Sequence, residues 1–198
     1  MLNWMEQGGV MMLFIALASF LAIAVVIDRF VTYRRLDRNA LRFIKQFYEL
    51  LSVRQVDSAV ALCKELDSPV SRLALAGLGA SDRSRDEIRD VLLHAGNREV
   101  PQLEARLPML STVAYVAPLL GLLGTVLGLI QSFQRFDGGP GMMATGIWQA
   151  LITTVAGLTV GIISHILYIY LYGRKERLIS DLEDMSHELL EIFTEHSR

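Results

Sequence analysis

The sequence predicts an all-α membrane protein in which three transmembrane helices extend into a helical cytoplasmic region. Hydrophobic residues form 52% of the 198-residue chain, and its mean hydropathy is +0.37, which is high for a globular protein of this size. The excess lies in three uncharged runs, each near or above the roughly 20 residues that cross a hydrocarbon core about 30 Å thick. Lysine and arginine cluster on one side of these runs, which predicts a single orientation.

The first span is predicted at residues 10–30. Residues 7–27 carry no charge, and no basic residue precedes them. A signal peptide has positive charges before its apolar run and a small-residue cleavage site after it, whereas Asp28 and Arg29 follow this run. The segment is therefore interpreted as a retained anchor, with a cleaved signal peptide as the weaker alternative.

The second and third spans are predicted at residues 107–134 and 145–173, joined by a loop at 135–144. Their interiors contain glycine and threonine where a lipid anchor would contain leucine. Small residues let helix backbones approach closely, and a hydroxyl in hydrocarbon needs a partner. These two spans are therefore predicted to contact other helices or a wet path, and to be the working part of the chain.

Basic residues are held on the cytoplasmic side of a membrane. Those near the spans are Arg29, Arg34, Arg35, Arg38, Arg42, Lys45, Arg89, Arg98, Arg106, Arg174, Lys175 and Arg177. Residues 1–9 have none, and the 135–144 loop has only Arg135. The N-terminus and this loop are therefore expected outside, and residues 31–106 and 174–198 in the cytoplasm. Trp4 and Trp148 would then both lie near the outer interface, which aromatic rings favour.

The cytoplasmic segment has apolar residues at helical spacing. Ser84 and Glu87 have the spacing of a capping box, which predicts a helix start there. Pro101 and Pro108 predict an interruption close to the membrane.

The C-terminal segment 174–198 is predicted to be an amphipathic helix. Its apolar positions are Leu178, Leu182, Met185, Leu189 and Ile192, and its acidic positions are Asp181, Asp184, Glu188, Glu191 and Glu195. This pattern favours packing on the cytoplasmic segment of the same or a neighbouring subunit over a free coiled coil.

Composition and spacing exclude several classes of function. A net charge of −2 gives no basic field for nucleic acid. Cys63 is the one cysteine, so no disulfide framework or paired-cysteine metal site is expected. The serines lack a neighbouring base and acid, and the histidines are not spaced as metal ligands. No enzyme, catalytic residue, cofactor or metal is predicted.

Candidate functional residues form narrow stripes, because residues four and seven apart share one face of a helix. The second-span stripe is Ala117, Gly121, Thr125, Gly128 and Ser132. The third-span stripe is Ala150, Thr154, Gly157, Gly161 and His165, beside Gln149, Thr153, Ala156 and Val160. The predicted packing residues are Gly121, Gly124, Gly128, Gly157 and Gly161. The two stripes can meet within one subunit or between subunits. A purely structural alternative stays open, in which the threonines bond to a carbonyl one turn back.

His165 is the one ionisable side chain inside the third span. It is a candidate for moving protons near neutral pH, and a neutral, hydrogen-bonded histidine is the stronger alternative. No predicted span has a buried aspartate or glutamate. If protons cross here, the carboxylate that carries them must belong to another chain.

Two segments together carry a specific resemblance to a known family. APLLGLLGTVLGLIQSF at residues 117–133 and GIWQALITTVAGLTVGI at residues 146–162 resemble the paired motifs of the MotA/TolQ/ExbB proton-channel family. The three-span plan resembles the ExbB and TolQ branch over the whole chain, whereas the MotA branch usually has four spans.

The resemblance implies a homopentamer in the bacterial inner membrane, with a periplasmic N-terminus, around single-span partners of the ExbD or TolR type. An intramembrane aspartate of the partner would carry the proton. Thr125 and Thr154 match the pore-lining threonines of the family, and Pro118 matches the proline of the second-span motif.

Two positions depart from the family pattern. Gln149 stands where a glutamate is common, so this position cannot titrate but can still form hydrogen bonds. Ile163 stands where a proline is common, which predicts a straighter third helix. Gln149 and His165 complete the candidate proton pathway with Thr125 and Thr154.

The function that the resemblance implies is that of an ExbB-type subunit. Such a subunit couples the proton motive force to outer-membrane transport through a TonB-type protein. One alternative is a TolQ-like subunit of an envelope-maintenance motor that acts with a TolA-type protein. The alternative from another class is a non-conducting membrane scaffold.

Overall fold

The computed structural model describes residues 9–53, 55–66, 68–134 and 140–196. Trp4, the N-terminal segment 1–8 and residues 135–139 of the predicted loop lie outside the described residues. Within the described part, the chain forms helices and no strand. The helices are α1 (Gly9–Ser52), α2 (Val56–Leu66), α3 (Pro69–Leu78), α4 (Arg85–Glu104), α5 (Leu107–Gln134) and α6 (Pro140–His196). The predicted all-α fold is confirmed.

The described part of the chain has three helical segments that are long and apolar enough to cross a membrane. They are Gly9–Leu36, Arg85–Gln134 and Ala144–Thr194, and their most apolar stretches have mean hydropathies of 3.0, 2.2 and 1.9. Helix α1 has 44 residues and α6 has 57, which is far more than the roughly 20 needed to cross a bilayer. The third span and the C-terminal segment are one uninterrupted helix that runs through Ile163 and Gly173.

The predicted interruption before the second span lies between the two prolines. Pro101 is inside α4, and Pro108 is in the first turn of α5, where its missing N–H is not needed. The helical conformation is lost at Ala105, with φ −48° and ψ 139°, and at Arg106, with φ 66°.

The chain divides into two compact units, and the first contains the three apolar spans. It comprises residues up to Arg29 and the segment Arg106–Tyr172. Ion pairs of Asp28 link α1 to the residue that precedes α5. The Arg106 guanidinium lies 2.6 Å from one carboxylate oxygen of Asp28, and Arg29 lies 2.8 Å from the other. Arg106 thus has an anionic partner that holds its left-handed backbone, which is uncommon for a non-glycine residue.

The second unit comprises Phe30–Ala105 and Gly173–Arg198. Its helix α4 begins as predicted. The Glu87 N–H donates to the Ser84 hydroxyl at 3.4 Å, and the Ser84 N–H donates to the Glu87 carboxylate at 3.0 Å. The hydrogen bond from the Ser84 hydroxyl lowers the pKa of Glu87. The predicted capping box is therefore confirmed.

The C-terminal part of α6 packs on the segment between the first and second apolar spans of its own chain. Its buried apolar residues are Leu178, Leu182, Met185, Leu189, Leu190 and Phe193. The Phe193 ring lies against Gly77, where a β-carbon would have no room. Of the two predicted packing partners, the structure has the segment of the same subunit.

Buried polar groups in this unit are paired. Arg72 donates to both carboxylate oxygens of the buried Glu99, at 2.9 and 2.6 Å. Lys175 donates to Glu104 at 3.0 Å. Cys63 is buried among apolar groups, and burial raises the pKa of its thiol to about 11. The thiol is therefore protonated at neutral pH.

Candidate functional site

Helices α5 and α6 approach each other so closely that only glycine fits at their contact. A β-carbon on Gly157 would lie 2.5 Å from the carbonyl oxygen of Ala117 and 2.8 Å from the Cα of Gly121. Both neighbours are backbone atoms, so they cannot move aside as a flexible side chain could. The second and third predicted spans therefore meet within one chain, backbone against backbone.

The contact continues along both helices in antiparallel register. Gly124 lies against Thr153, Gly128 against Ala150 and Gly161 against Pro118. All five glycines predicted to pack are buried. The face is therefore a stripe of small residues several turns long, which is the pattern that brings membrane helices together in the absence of a hydrophobic drive.

Three oxygen atoms meet at one level of this contact. The hydroxyls of Thr125 and Thr154 are hydrogen-bonded to each other. The Thr125 hydroxyl also lies 3.1 Å from the carbonyl oxygen of Gly121, and the Thr154 hydroxyl lies 3.0 Å from the same oxygen. The bond of Thr125 is the expected one to a carbonyl one turn back, whereas the bond of Thr154 crosses to the other helix.

This oxygen cluster is half-buried in the single chain, at the edge of the helix contact. One side of each threonine packs on the neighbouring helix, and the other side faces the surface. The two hydroxyl protons are shared among these three contacts, and the oxygen lone pairs can also accept a hydrogen bond from a water molecule or from a group of another chain. A hydroxyl that turns outward can donate to such a group in exchange for one of the internal bonds.

Thr153 is a buried polar residue of this contact that was not among the predicted site residues. Its side chain is buried against Gly124, and its hydroxyl donates to the carbonyl oxygen of Ala150 at 2.8 Å. Spacing alone predicts Thr153 on the face beside the third-span stripe. The sequence signal for the burial of Thr153 is Gly124, which lies opposite it on α5, because a glycine leaves room for a neighbouring side chain.

His165 is exposed on the surface of the chain, and the neighbouring Ser164 is the buried residue. The packed face of α6 thus passes through Ser164 and not through His165. Eleven residues separate His165 from Thr154, which places them about 16 Å apart along the helix and within about 20° of one direction. His165 therefore shares the exposed side of Thr154 without touching the oxygen cluster.

Gln149 lies on another side of α6. Its amide contacts Gly9 at the beginning of α1, and Gly9 has a φ of 63°. Five residues separate Gln149 from Thr154, so the two directions differ by about 140°. The structure therefore brings Thr125 and Thr154 together and places Gln149 apart from them.

Comparison with known proteins gives the same family as the motifs. Residues 65–184 match the model of the MotA/TolQ/ExbB proton channel family. That segment contains α4, α5, the transmembrane part of α6 and therefore the whole glycine and threonine contact.

Named relatives extend the similarity beyond that segment. A homologue of the biopolymer transport protein ExbB from Methanothermobacter thermautotrophicus is 30% identical over 92% of this chain and 66% of its own length. An ExbB-like biopolymer transport protein from Synechocystis is 31% identical over 78% of this chain and 77% of its own.

The Tol-Pal system protein TolQ of Haemophilus influenzae is 36% identical over 50% of this chain and 44% of its own length. Both branch names thus occur among the relatives at similar identity. With its three long apolar helices, the chain is a multi-pass membrane protein of the MotA/TolQ/ExbB proton channel family.

Proposed function

We propose that this chain is an inner-membrane proton-channel and motor subunit of the ExbB type. Five copies surround single-span partner helices of the ExbD type, and the proton motive force energises TonB-dependent transport across the outer membrane. The family match and the ExbB-named relatives support this assignment.

The observation that carries the proposal is the oxygen cluster of Thr125, Thr154 and the Gly121 carbonyl. Asp28, near the end of the first predicted span, is the one aspartate or glutamate in the three predicted spans. It is paired with Arg29 and Arg106, so the middle of the spans has hydroxyls for a proton path but no carboxylate. A partner carboxylate that alternates between charged and neutral forms needs donors when it is charged. The half-exposed hydroxyls supply them in a medium of low dielectric constant.

The partner is the sharpest test. Purification of the tagged chain in mild detergent should recover a small one-span protein with an aspartate inside its apolar segment. Recovery of a homo-oligomer with no such partner from the native membrane would favour the scaffold function. A TolR-type instead of an ExbD-type partner would favour the TolQ-like role, which the TolQ relative supports as the second candidate.

We further propose spans at 10–30, 107–134 and 145–173 with the N-terminus in the periplasm, as the basic residues indicate. A cysteine introduced at Ser84 should not react with a membrane-impermeant maleimide in intact cells, whereas one at Gly139 should. Buried Cys63 should stay silent in both variants. The opposite labelling pattern would mean that the topology is inverted.

His165 has a role that substitution can define. It lies toward the cytoplasmic end on the exposed side of α6 that Thr154 shares, where an imidazole can pass protons inward. If His165 relays protons, His165→Ala and His165→Asn should both reduce energised transport by about tenfold or more. A hydrogen-bonding role predicts that His165→Asn restores it, and normal transport in His165→Ala would remove His165 from the pathway.

Gln149 is assigned a different role from the threonines in this proposal. Its amide packs at the beginning of α1, and it never carries charge. It therefore orients the helix contact or a nearby water molecule and does not accept protons.

A further inference from the structure

The cytoplasmic part of α1 has an exposed basic face, and nothing in the proposed function uses it. Arg34, Arg35 and Lys45 are exposed on this face, and arginines also occupy positions 38 and 42. Val31 and Tyr48 are 51% and 55% exposed beside them. The face therefore combines positive charge with apolar area, which is typical of a contact surface more than of a solvated one.

The cytoplasmic part of α6 has the opposite charge. Asp181, Asp184, Glu188 and Glu191 are exposed along it. Three of these acids also line a groove of about 570 Å³ whose apolar lining includes Leu178, Leu182 and Met185 on α6 and Leu36 and Ile44 on α1. Arg174 and Arg177 line the same groove, so its wall on α6 is basic near Gly173 and acidic from Asp181 onward, above an apolar floor.

The basic face and the groove are on opposite sides of α1. Leu36 follows Arg34 by two residues and Ile44 precedes Lys45 by one, so the directions differ by about 160° and 100°. Among the described residues, none of these three basic side chains forms an ion pair with the acidic wall. One copy therefore presents a basic face on α1 and, on another side, the acidic stretch of α6, which are complementary surfaces for two neighbours.

The two surfaces also extend over similar distances along their helices. Along their helices, Arg34 and Lys45 lie 6 and 17 residues beyond Asp28, and Asp181 and Glu191 lie 8 and 18 residues beyond Gly173. At 1.5 Å per residue, these distances are about 9–26 Å and about 12–27 Å. The two surfaces therefore have similar lengths, which lets one lie along the other in a neighbouring copy.

We propose that the basic face of α1 docks into the acidic groove of α6 in the next copy of this chain. The contact joins two different surfaces, and repetition of such a contact by rotation closes a ring. Charge complementarity sets which surfaces meet, and Val31 and Tyr48 supply apolar area for the groove. This inference rests on the proposed assembly of several copies.

Charge reversal tests the contact in the full-length chain. A basic-side variant, Arg34→Glu with Lys45→Glu, and an acidic-side variant, Asp184→Lys with Glu188→Lys, should each lower the fraction of oligomer about tenfold in native mass spectrometry at moderate salt. The four-fold variant should restore the oligomer, because it re-pairs the charges. Oligomers of the wild type should also weaken at high salt, where exposed charges are screened.

A matched control changes the same net charge elsewhere. Arg89→Glu with Arg98→Glu alters exposed residues of α4 and should leave the oligomer intact. Normal helical circular dichroism in every variant would exclude unfolding as the cause.

The other outcomes separate the inference from the proposed function. A monomeric wild type would overturn both. A wild-type oligomer that withstands both reversals would overturn the docking surface alone. If only the basic-side variant has an effect, and that effect is the loss of binding to vesicles of anionic lipid, the basic face binds headgroups and the inference is wrong.

Discussion

Gly157→Leu should disrupt the contact between α5 and α6 more than any other single apolar substitution in it. The new side chain would meet the backbone of Ala117 and Gly121 at distances no β-carbon tolerates. Overpacking against fixed atoms costs typically 1–3 kcal/mol, and backbone neighbours put this site at the upper end, about 3 kcal/mol. The melting temperature in detergent should therefore fall by about 6–12 °C.

Gly173→Leu is the matched control on the same helix. A β-carbon at Gly173 meets no atom within 4 Å, and leucine is the better helix former by about 1 kcal/mol or less. This variant should melt at or slightly above the wild-type temperature, as followed by circular dichroism. Equal melting temperatures for the two leucine variants would mean that the helices do not pack through Gly157.

Thr125→Val and Thr154→Val should each reduce energised transport by about tenfold or more while the protein stays assembled. Valine keeps the volume of threonine and removes the hydroxyl, so the oxygen cluster loses a donor where the partner carboxylate is proposed to titrate. A hydroxyl with a purely structural role contributes only about 0.5–1.5 kcal/mol to the free energy of unfolding. Stability should therefore change little while transport is lost.

Thr159→Val is the control for this pair. The Thr159 hydroxyl is exposed and donates to the carbonyl oxygen of Val155 in its own helix at 2.8 Å. Transport by cells that carry this variant should equal that of the wild type. If both Thr125→Val and Thr154→Val also support normal transport, the threonines are packing residues and the pore assignment is wrong.

Local signals in the sequence predicted the helices well. The start of α4 follows from Ser84 and Glu87 alone, because a capping box forms within four residues. The interruption near the membrane follows from Pro101 and Pro108. These features depend on neighbours along the chain, so no knowledge of the tertiary fold was needed.

The faces of the helices were harder to predict because they depend on two helices at once. Spacing grouped Thr154 with His165, but the packed face of α6 passes through Thr153 and Ser164. One residue corresponds to about 100° of rotation, so a stripe read from one helix can be displaced by one position. The position of Gln149 was hard to predict for the same reason, because Gln149 contacts Gly9 on a helix that is more than a hundred residues away in sequence.

The resemblance supplied what spacing could not, namely the family and the paired role of Thr125 and Thr154. The structure adds the physical link between them, since both hydroxyls converge on the carbonyl oxygen of Gly121. A β-carbon at position 121 would lie 3.1 Å from the Cα of Thr154 and 3.2 Å from the Cα of Gly157. Glycine therefore favours the close approach that brings its carbonyl oxygen to both hydroxyls.

Proton uptake by vesicles that contain the purified chain and its one-span partner tests directly whether protons cross the membrane beside Thr125 and Thr154. Under an imposed potential, we expect uptake that requires the partner's intramembrane aspartate and that falls about tenfold in Thr154→Val but not in Thr159→Val. Uptake that is unchanged when that aspartate is replaced by asparagine, or when Thr154 is replaced by valine, would contradict this expectation.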